Sequence, residues 1–313
     1  MRAFVFPGQG AQTVGMGKGL AEAYPAAKAV FSEVDEALGE NLSRLIWEGD
    51  AENLQLTRNA QPALMATSIA ALRALEAEGV GPSAPAYVAG HSLGEYSALC
   101  AAGALALSDA ARLLRLRGEA MQAAVPVGEG AMAALLGLDF DAATAVALEA
   151  QADGGICQAA NDNDPAQVVV SGTRAAVERA VEIAKARGAK RALLLPVSAP
   201  FHSALMTPAA EAMEQALAST EIREPRVPVV ANVIASPVQD PETIRSLLVR
   251  QVTGSVRWRE SVTWLAEAGV TEAWEIGAGK ALSGMIRRTA PGIAVRNVGT
   301  PEEVRAAAAS LNS

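Results

Sequence analysis

Gly90-His91-Ser92-Leu93-Gly94 spells G-x-S-x-G, a serine held between two glycines. The residues before it, Ala86-Tyr87-Val88-Ala89, predict a short buried strand, and the Ala- and Leu-rich run from Leu93 to Leu105 predicts a helix. A sharp strand-to-helix turn of this kind holds the serine hydroxyl at the top of a sheet, with glycine where a side chain would clash. It also aims backbone N–H groups, that of Leu93 first, at a developing oxyanion, with the positive end of the helix dipole behind them. A serine that merely caps a helix would leave the same five letters. The two readings part on whether a base exists to take the hydroxyl proton. The chain has two histidines. His91 adjoins Ser92 in the turn, so its ring is expected to point away and to pack or hydrogen-bond. Elimination leaves His202, in the loop Ser198-Ala199-Pro200-Phe201-His202-Ser203 after a predicted strand. An acid in hydrolase order would lie between Ser92 and His202. Asp139, Asp141, Asp153, Asp162 and Asp164 lie there, but none ends a predicted strand of the larger domain. A Ser–His pair oriented by something other than a carboxylate is therefore expected.

Arg117 is the second residue that asks for chemistry. The predicted helix from Ser108 to about Ala124 carries the apolar stripe Ala110, Leu113, Leu114, Ala120, Met121 and Ala124, and Arg117 falls in its middle. A buried guanidinium needs an anion. That anion is either a core carboxylate, the usual partner of a buried arginine, or a substrate.

The elements that must position these residues alternate strand and helix. Strands are predicted over Ala3–Phe6 and Val227–Ala231, and over Thr271–Ile276, which runs into Gly277-Ala278-Gly279-Lys280. That loop looks like a phosphate loop, but Trp274 and Ala281 stand where Gly and Ser or Thr belong. The Pro7–Gln12 loop lacks the third glycine of a dinucleotide fingerprint, since Thr13 occupies its place. Pro62 suits the first turn of a helix running to about Glu78, with Gln61 just before it. Pro126–Gly130 reads as a boundary. After it come strand 131–137, helix 141–150, strands 156–160 and 167–171 joined by the turn-rich Asn161-Asp162-Asn163-Asp164-Pro165, a helix capped by Thr173, and strand 192–197. This βαββαβ order is the ferredoxin-like pattern, inserted into a larger α/β domain as a lid or second wall of a cleft. The expected division is 1–125 with 198–313 for the larger domain and 126–197 for the insert.

Composition bounds the function. The chain has 313 residues, half of them hydrophobic, and a formal net charge of -8. Such a chain builds a sizeable core, and its acidity argues against nucleic acid as a partner. No apolar run is long enough to span a bilayer, and the first residues break too soon for a signal peptide. Two cysteines, Cys100 and Cys157, on different predicted elements exclude a disulfide framework or a thiolate metal site and fit a cytoplasmic protein.

Taken together, Gly8-Gln9-Gly10-Ala11-Gln12, Gln61-Pro62-Ala63-Leu64, Gly90-His91-Ser92-Leu93-Gly94-Glu95-Tyr96-Ser97-Ala98, Arg117-Gly118, the His202 loop and Val249-Arg250-Gln251 resemble the malonyl-CoA:acyl-carrier-protein transacylases of bacterial fatty-acid synthesis. The likeness spans nearly the whole chain in the same order. It implies an α/β-hydrolase-like core with a mostly parallel sheet around the ferredoxin-like insert, and an acyl-serine intermediate. It implies Ser92 as nucleophile, His202 as base and acid, Arg117 as clamp for the malonyl carboxylate, and the Leu93 and Gln9 N–H groups as oxyanion hole. Gln251 would hold His202 through its backbone carbonyl, Gln61 would line the site, and Phe201 is the form associated with malonyl over methylmalonyl groups. Ala199-Pro200 departs from the residues that multidomain synthases carry before their Phe-His, which weakens that last inference. The implied substrates are malonyl-CoA and acyl carrier protein, with no metal or other cofactor and no membrane partner, for a cytoplasmic protein expected to be a monomer. For the acidic carrier, the candidate docking residues are Lys280, Arg287 and Arg288, or Lys190 and Arg191. Two other readings use the same residues differently. A serine esterase or thioesterase would let water accept the acyl group, although it has no need of Arg117. A carrier-binding module with a dead site would have no use for a Ser–His–Gln set.

Overall fold

Alternation along the first strand sets the layers. In the computed structural model, which describes residues 1–152, 154–197 and 199–311, β1 (Arg2–Phe6) sends Phe4 and Phe6 into the main core. Ala3 and Val5 go to a second cluster on the opposite face. Asp153 and Ser198, singled out above, lie outside the described residues. A strand apolar on both faces belongs in the middle of a covered parallel sheet. β1 pairs in parallel with β2 (Tyr87–Gly90) and with a later strand, Glu272–Ile276.

Between β2 and the next strand of that sheet the chain builds a second sheet from β3 (Gly130–Leu136), β4 (Cys157–Asp164), β5 (Gln167–Thr173) and β6 (Arg191–Leu194). Its order is β4-β5-β3-β6, all antiparallel. With helices Phe140–Glu149 and Arg174–Ala186 this is the βαββαβ unit. Alternation again assigns the faces. Ala131, Ala133, Leu135, Val168 and Val170 pack under the two helices, whereas Met132, Ala134 and Val169 face the main core. The first sheet then resumes with β7 (Val229–Ala231), β8 (Ser236–Val238), β9 (Glu272–Ile276) and β10 (Ala294–Val298). Its six strands run β10-β9-β1-β2-β7-β8, parallel except for the β7–β8 hairpin. The fold is thus an α/β-hydrolase-like core with a mostly parallel sheet and a ferredoxin-like second sheet.

Two expectations need correction. Pro62 does not open its helix, which begins at Thr57 and runs to Ala77. Proline removes one intrahelical hydrogen bond there, and burial of the surrounding helix outweighs that loss. The run Asn161–Asp164 is not a turn but the second half of β4. Its polar side chains favour turns locally, yet each of the last three meets a partner on the larger sheet's side of the molecule. Asp162 accepts from Arg259 Nε and Nη2 at 3.0 and 2.9 Å, and Asp164 from Arg288 Nε and Nη2 at 2.9 and 2.8 Å. Asn163 Oδ1 lies 2.8 Å from His91 Nε2. The backbone joins in, with Asp162 N donating to Val256 O and Val256 N to Ala160 O, both at 2.9 Å. Tertiary pairing therefore overrides local propensity.

This seam makes a stability prediction. Arg259→Ala strands the fully buried Asp162 carboxylate without its cation. Breaking a buried pair costs about 3–5 kcal/mol, and the partial exposure of Arg259 puts the expected loss near the low end, about 3 kcal/mol. A urea titration checks this. A loss below about 0.5 kcal/mol would make the contact an ordinary surface bridge.

Candidate active site

β2 ends at Gly90 and a helix starts at Gly94, so Ser92 sits in the turn between them. The turn is tight enough to require both glycines. A Cβ on Gly90 would lie 1.9 Å from Gly94 O, and one on Gly94 would lie 2.3 Å from Phe6 O. Ser92 itself is in the left-handed region, φ 53°. A non-glycine residue adopts that conformation only where its surroundings impose it. Asn232, just past β7, does the imposing: its Oδ1 accepts from Ser92 N at 2.8 Å and its Nδ2 donates to Gly90 O at 2.7 Å.

His202 meets the serine from the loop after β6. Ser92 Oγ lies 2.8 Å from His202 Nε2, and His202 Nδ1 lies 2.9 Å from the backbone carbonyl of Gln251. A carbonyl only accepts, so Nδ1 carries the proton and Nε2 presents its lone pair to the hydroxyl. His202 also has positive φ, 56°, so both partners are held in uncommon conformations. His91 turns away, as expected, toward Asn163. No aspartate approaches His202 by hydrogen bond among the described residues; the orienting group is the Gln251 carbonyl at the end of helix Pro241–Thr253.

Arg117, 1% exposed on helix Leu107–Ala123, closes the site. Its Nη2 donates to Ser92 Oγ at 3.2 Å and to Gln251 Oε1 at 2.8 Å, and its Nη1 donates to Gln61 Oε1 at 2.8 Å. Its carbon stands 5.7 Å from the centre of the Tyr96 ring. No carboxylate pairs with it among the described residues, and its buried Nε–H has no acceptor. Of the two anions the sequence left open, a core salt-bridge partner is thus absent there. The charge is instead met by the two amide oxygens, the serine hydroxyl and the neighbouring Tyr96 and Glu95.

The remaining candidates fall around this set. Gly8 packs against the turn, since a Cβ there would meet His91 O at 2.7 Å, and this brings the Gln9 loop alongside it. Among the described residues neither the Gln9 N–H nor the Leu93 N–H donates to a protein acceptor. Phe201 is buried in the main core next to His202. All five basic candidates are exposed; Arg288 is also paired with Asp164, and Lys280 faces Glu303 at 3.7 Å. Arg288 therefore contributes to the seam between the sheets while its side chain stays half exposed. In the phosphate-loop lookalike, Glu275 fills the anion position: its carboxylate accepts from Leu282 N and Ser283 N at 3.1 and 2.7 Å.

Two residues of the site escaped the sequence reading. Asn232 directly follows a predicted strand of the parallel sheet, at the carboxyl end where such sheets gather their sites, and that position was the available signal. Glu95 is 3% exposed, accepts from Gln251 Nε2 at 2.8 Å and from Asn232 N at 3.1 Å, and was visible only as an acid in an otherwise apolar helix. Burial pushes its carboxyl up to about 7, against the opposing hydrogen bond from Gln251.

Both histidines are pushed below their ordinary value. Burial does this at His91; at His202 burial and then the Arg117 charge take the value down to about 3. A depressed histidine stays neutral as the pH falls below the usual 6.5, so His202 remains able to accept a proton. Two-dimensional 15N–1H spectra are expected to show His202 neutral throughout the range from pH 5 to 8. An imidazolium signal from His202 at pH 5 would contradict this.

Comparison with known proteins gives a family. The family described as acyl transferase domain matches residues 3–297. The malonyl CoA-acyl carrier protein transacylase of Bacillus subtilis is 50% identical over 309 residues, covering 99% of this chain and 96% of that protein. Its Escherichia coli K12 counterpart is 47% identical over 305 residues, covering 97% and 98%. The crystal structure of acyl-carrier-protein-S-malonyltransferase from Bartonella henselae superposes with a TM-score of 0.97 at 56% identity, over 100% of this chain and 99% of that one. A malonyl-transacylase solved with its type II PKS acyl-carrier protein superposes with a TM-score of 0.95 at 43% identity, over 99% of each chain. The chain belongs to the malonyl-CoA:acyl-carrier-protein transacylase family of acyltransferases.

Proposed function

We propose that this chain moves a malonyl group from malonyl-CoA to the phosphopantetheine thiol of acyl carrier protein, through a malonyl ester on Ser92. His202 Nε2 takes the hydroxyl proton as Ser92 Oγ attacks the thioester carbonyl. The new oxyanion accepts hydrogen bonds from the Leu93 and Gln9 N–H groups. Collapse breaks the C–S bond, and His202 returns its proton to the coenzyme A sulfur. The carrier thiol then gives a proton to His202 and attacks the ester carbonyl, and Ser92 leaves with that proton. The Gln251 carbonyl steadies the imidazolium in both halves. Gln61 lines the carboxylate site through Arg117, and Phe201 walls it against branched acyl groups. These steps call for no metal or redox cofactor. The reading includes a cytoplasmic monomer and a division of the chain into 1–125 with 198–313 and 126–197.

One observation carries it: a buried guanidinium with no carboxylate paired to it among the described residues reaches the nucleophile's own oxygen at 3.2 Å. A malonyl group on Ser92 has a free carboxylate to offer there; an acetyl group has none. A planar fork of donors suits such a carboxylate. A hydrolase acting on simple esters gains nothing from this cation.

Intact-mass analysis tests the covalent step. Malonyl-CoA is expected to leave one malonyl adduct on the protein, which holo carrier protein then discharges. Ser92→Ala is expected to form none while keeping its fold, and an adduct on that folded variant sinks the assignment. His202→Ala is expected to slow turnover by about 10²–10⁴-fold, and Gln251→Ala by less, because the backbone carbonyl survives the change.

Arg117→Ala separates substrates. Removing one partner of a hydrogen-bonded charge pair costs about 2–5 kcal/mol, roughly 30- to several-thousand-fold. Malonyl kcat/KM is expected to fall by that factor while acetyl transfer holds or rises, and Arg117→Lys is not expected to restore it fully. Equal losses with both acyl groups, together with a lowered melting temperature, would mean that Arg117 serves the core alone.

A further inference from the structure

The side-chain amide of Gln251 stands between two groups of fixed hydrogen-bonding character. On one side is Arg117 Nη2, which can only donate. On the other is the Glu95 carboxylate, which in its ionised form can only accept. One orientation of the amide satisfies both, with Oε1 toward the guanidinium and Nε2 toward the carboxylate. Reversal would set NH2 against a guanidinium donor and oxygen against a carboxylate. Glu95 is in turn held by the helix it starts and by Asn232 N, which donates to the same Oε2 at 3.1 Å. The same Gln251 Nε2 reaches the Ser92 backbone carbonyl at 3.0 Å, so the amide is tied to the nucleophile's turn as well. Glu95 makes no ion pair among the described residues, and neither does Arg117. The two buried charges communicate across one amide instead of touching.

We infer that Glu95 is a positioning residue for acyl-group selection: by accepting from Gln251 Nε2 it fixes the amide whose Oε1 holds Arg117 in place beside Ser92. The inference rests on the proposed role of Arg117 as the clamp for the acyl carboxylate. Direct contact between Glu95 and Arg117 would have satisfied the guanidinium with a resident anion and left it no call for a second. The amide relay orients the cation and leaves its charge open to an incoming carboxylate. Ionisation of Glu95 near neutral pH agrees with a carboxylate that is buried, hydrogen-bonded and only indirectly balanced.

The test uses the full chain with Glu95→Ala, Glu95→Gln, Arg117→Ala and the Glu95→Ala/Arg117→Ala double variant. The primary readout is the ratio of kcat/KM for malonyl-CoA to that for acetyl-CoA. Glu95→Ala is expected to lower this ratio about tenfold, the scale of coupling between residues in one network. Glu95→Gln is expected to recover most of it, since an amide oxygen still accepts from Gln251 Nε2 and Asn232 N. In the Arg117→Ala background, Glu95→Ala is expected to lower the ratio no further. A merely structural role would depress both substrates alike and leave the ratio alone. That outcome, or a Glu95→Gln variant with a ratio as low as that of Glu95→Ala, overturns the inference. An Arg117→Ala variant with an unchanged ratio counts instead against the clamp itself. A second measurement needs no substrate. The Gln251 side-chain NH2 resonances, assigned by their loss in Gln251→Ala, are expected to shift upfield in Glu95→Ala and to stay downfield in Glu95→Gln. Resonances unmoved by Glu95→Ala refute the contact whatever the reaction proves to be.

Discussion

A fully desolvated guanidinium with no carboxylate paired to it among the described residues is the constraint on which the site depends. Burying an isolated charge is so costly that every neighbour of Arg117 must supply something. Gln61 and Gln251 give carbonyl oxygens, Ser92 a hydroxyl and Tyr96 a ring face. These residues come from three segments, the helices Thr57–Ala77 and Pro241–Thr253 and the turn and helix from Ser92 to Ala101, gathered round the helix Leu107–Ala123. The helix Thr57–Ala77 must approach the helix Leu107–Ala123 closely to bring Gln61 in. Gly118 allows it, since a Cβ there would meet Arg58 Cα at 2.6 Å. The helix Pro241–Thr253 must end where Gln251 can serve both sides, its backbone oxygen on His202 and its side chain on Arg117. One residue thus ties His202 and Arg117 to a single helix.

The second feature is the pair of left-handed residues, Ser92 and His202, facing each other across one hydrogen bond. Each is costly alone, and each is held by contacts outside its own loop. Asn232 pins the serine turn through both ends of its amide, and the Gln251 carbonyl fixes the imidazole. Burial and the Arg117 charge keep this imidazole neutral. The carboxylate that orients the histidine of a hydrolase-type triad is replaced here by a carbonyl dipole.

Much of this was legible in the sequence, for identifiable reasons. The serine turn announces itself because only glycines fit at Gly90 and Gly94, and Arg117 because it interrupts an apolar stripe. His202 followed from scarcity, since the chain offers one alternative. The ferredoxin-like unit was readable from its alternating strands, and its order β4-β5-β3-β6 is the one that pattern entails. What stayed hidden depends on distance in sequence. Asn232 and Glu95 act on groups 140 and 156 residues away, and no local periodicity encodes that. The last half of β4 was misread because Asn and Asp favour turns until a distant arginine or histidine claims them. The partner of Arg288 was hidden for the same reason, since Asp164 lies 124 residues away. Short strands such as β8 and β10 gave no signal above their surroundings.

The polar seam along β4 has a consequence for how this architecture can be recombined. Asp162, Asn163 and Asp164 meet Arg259, His91 and Arg288, which sit on three separate elements of the other sheet's side. The two halves of this lock are written in stretches of sequence that no single crossover can carry together. A hybrid that takes its ferredoxin-like unit from a distant relative inherits acids without their cations, or cations without their acids. It also disturbs His91, the immediate neighbour of Ser92. Exchange of this unit between proteins is therefore expected to succeed only where both sides of the lock travel together, so that an apparently modular insertion is inherited as one piece with its host.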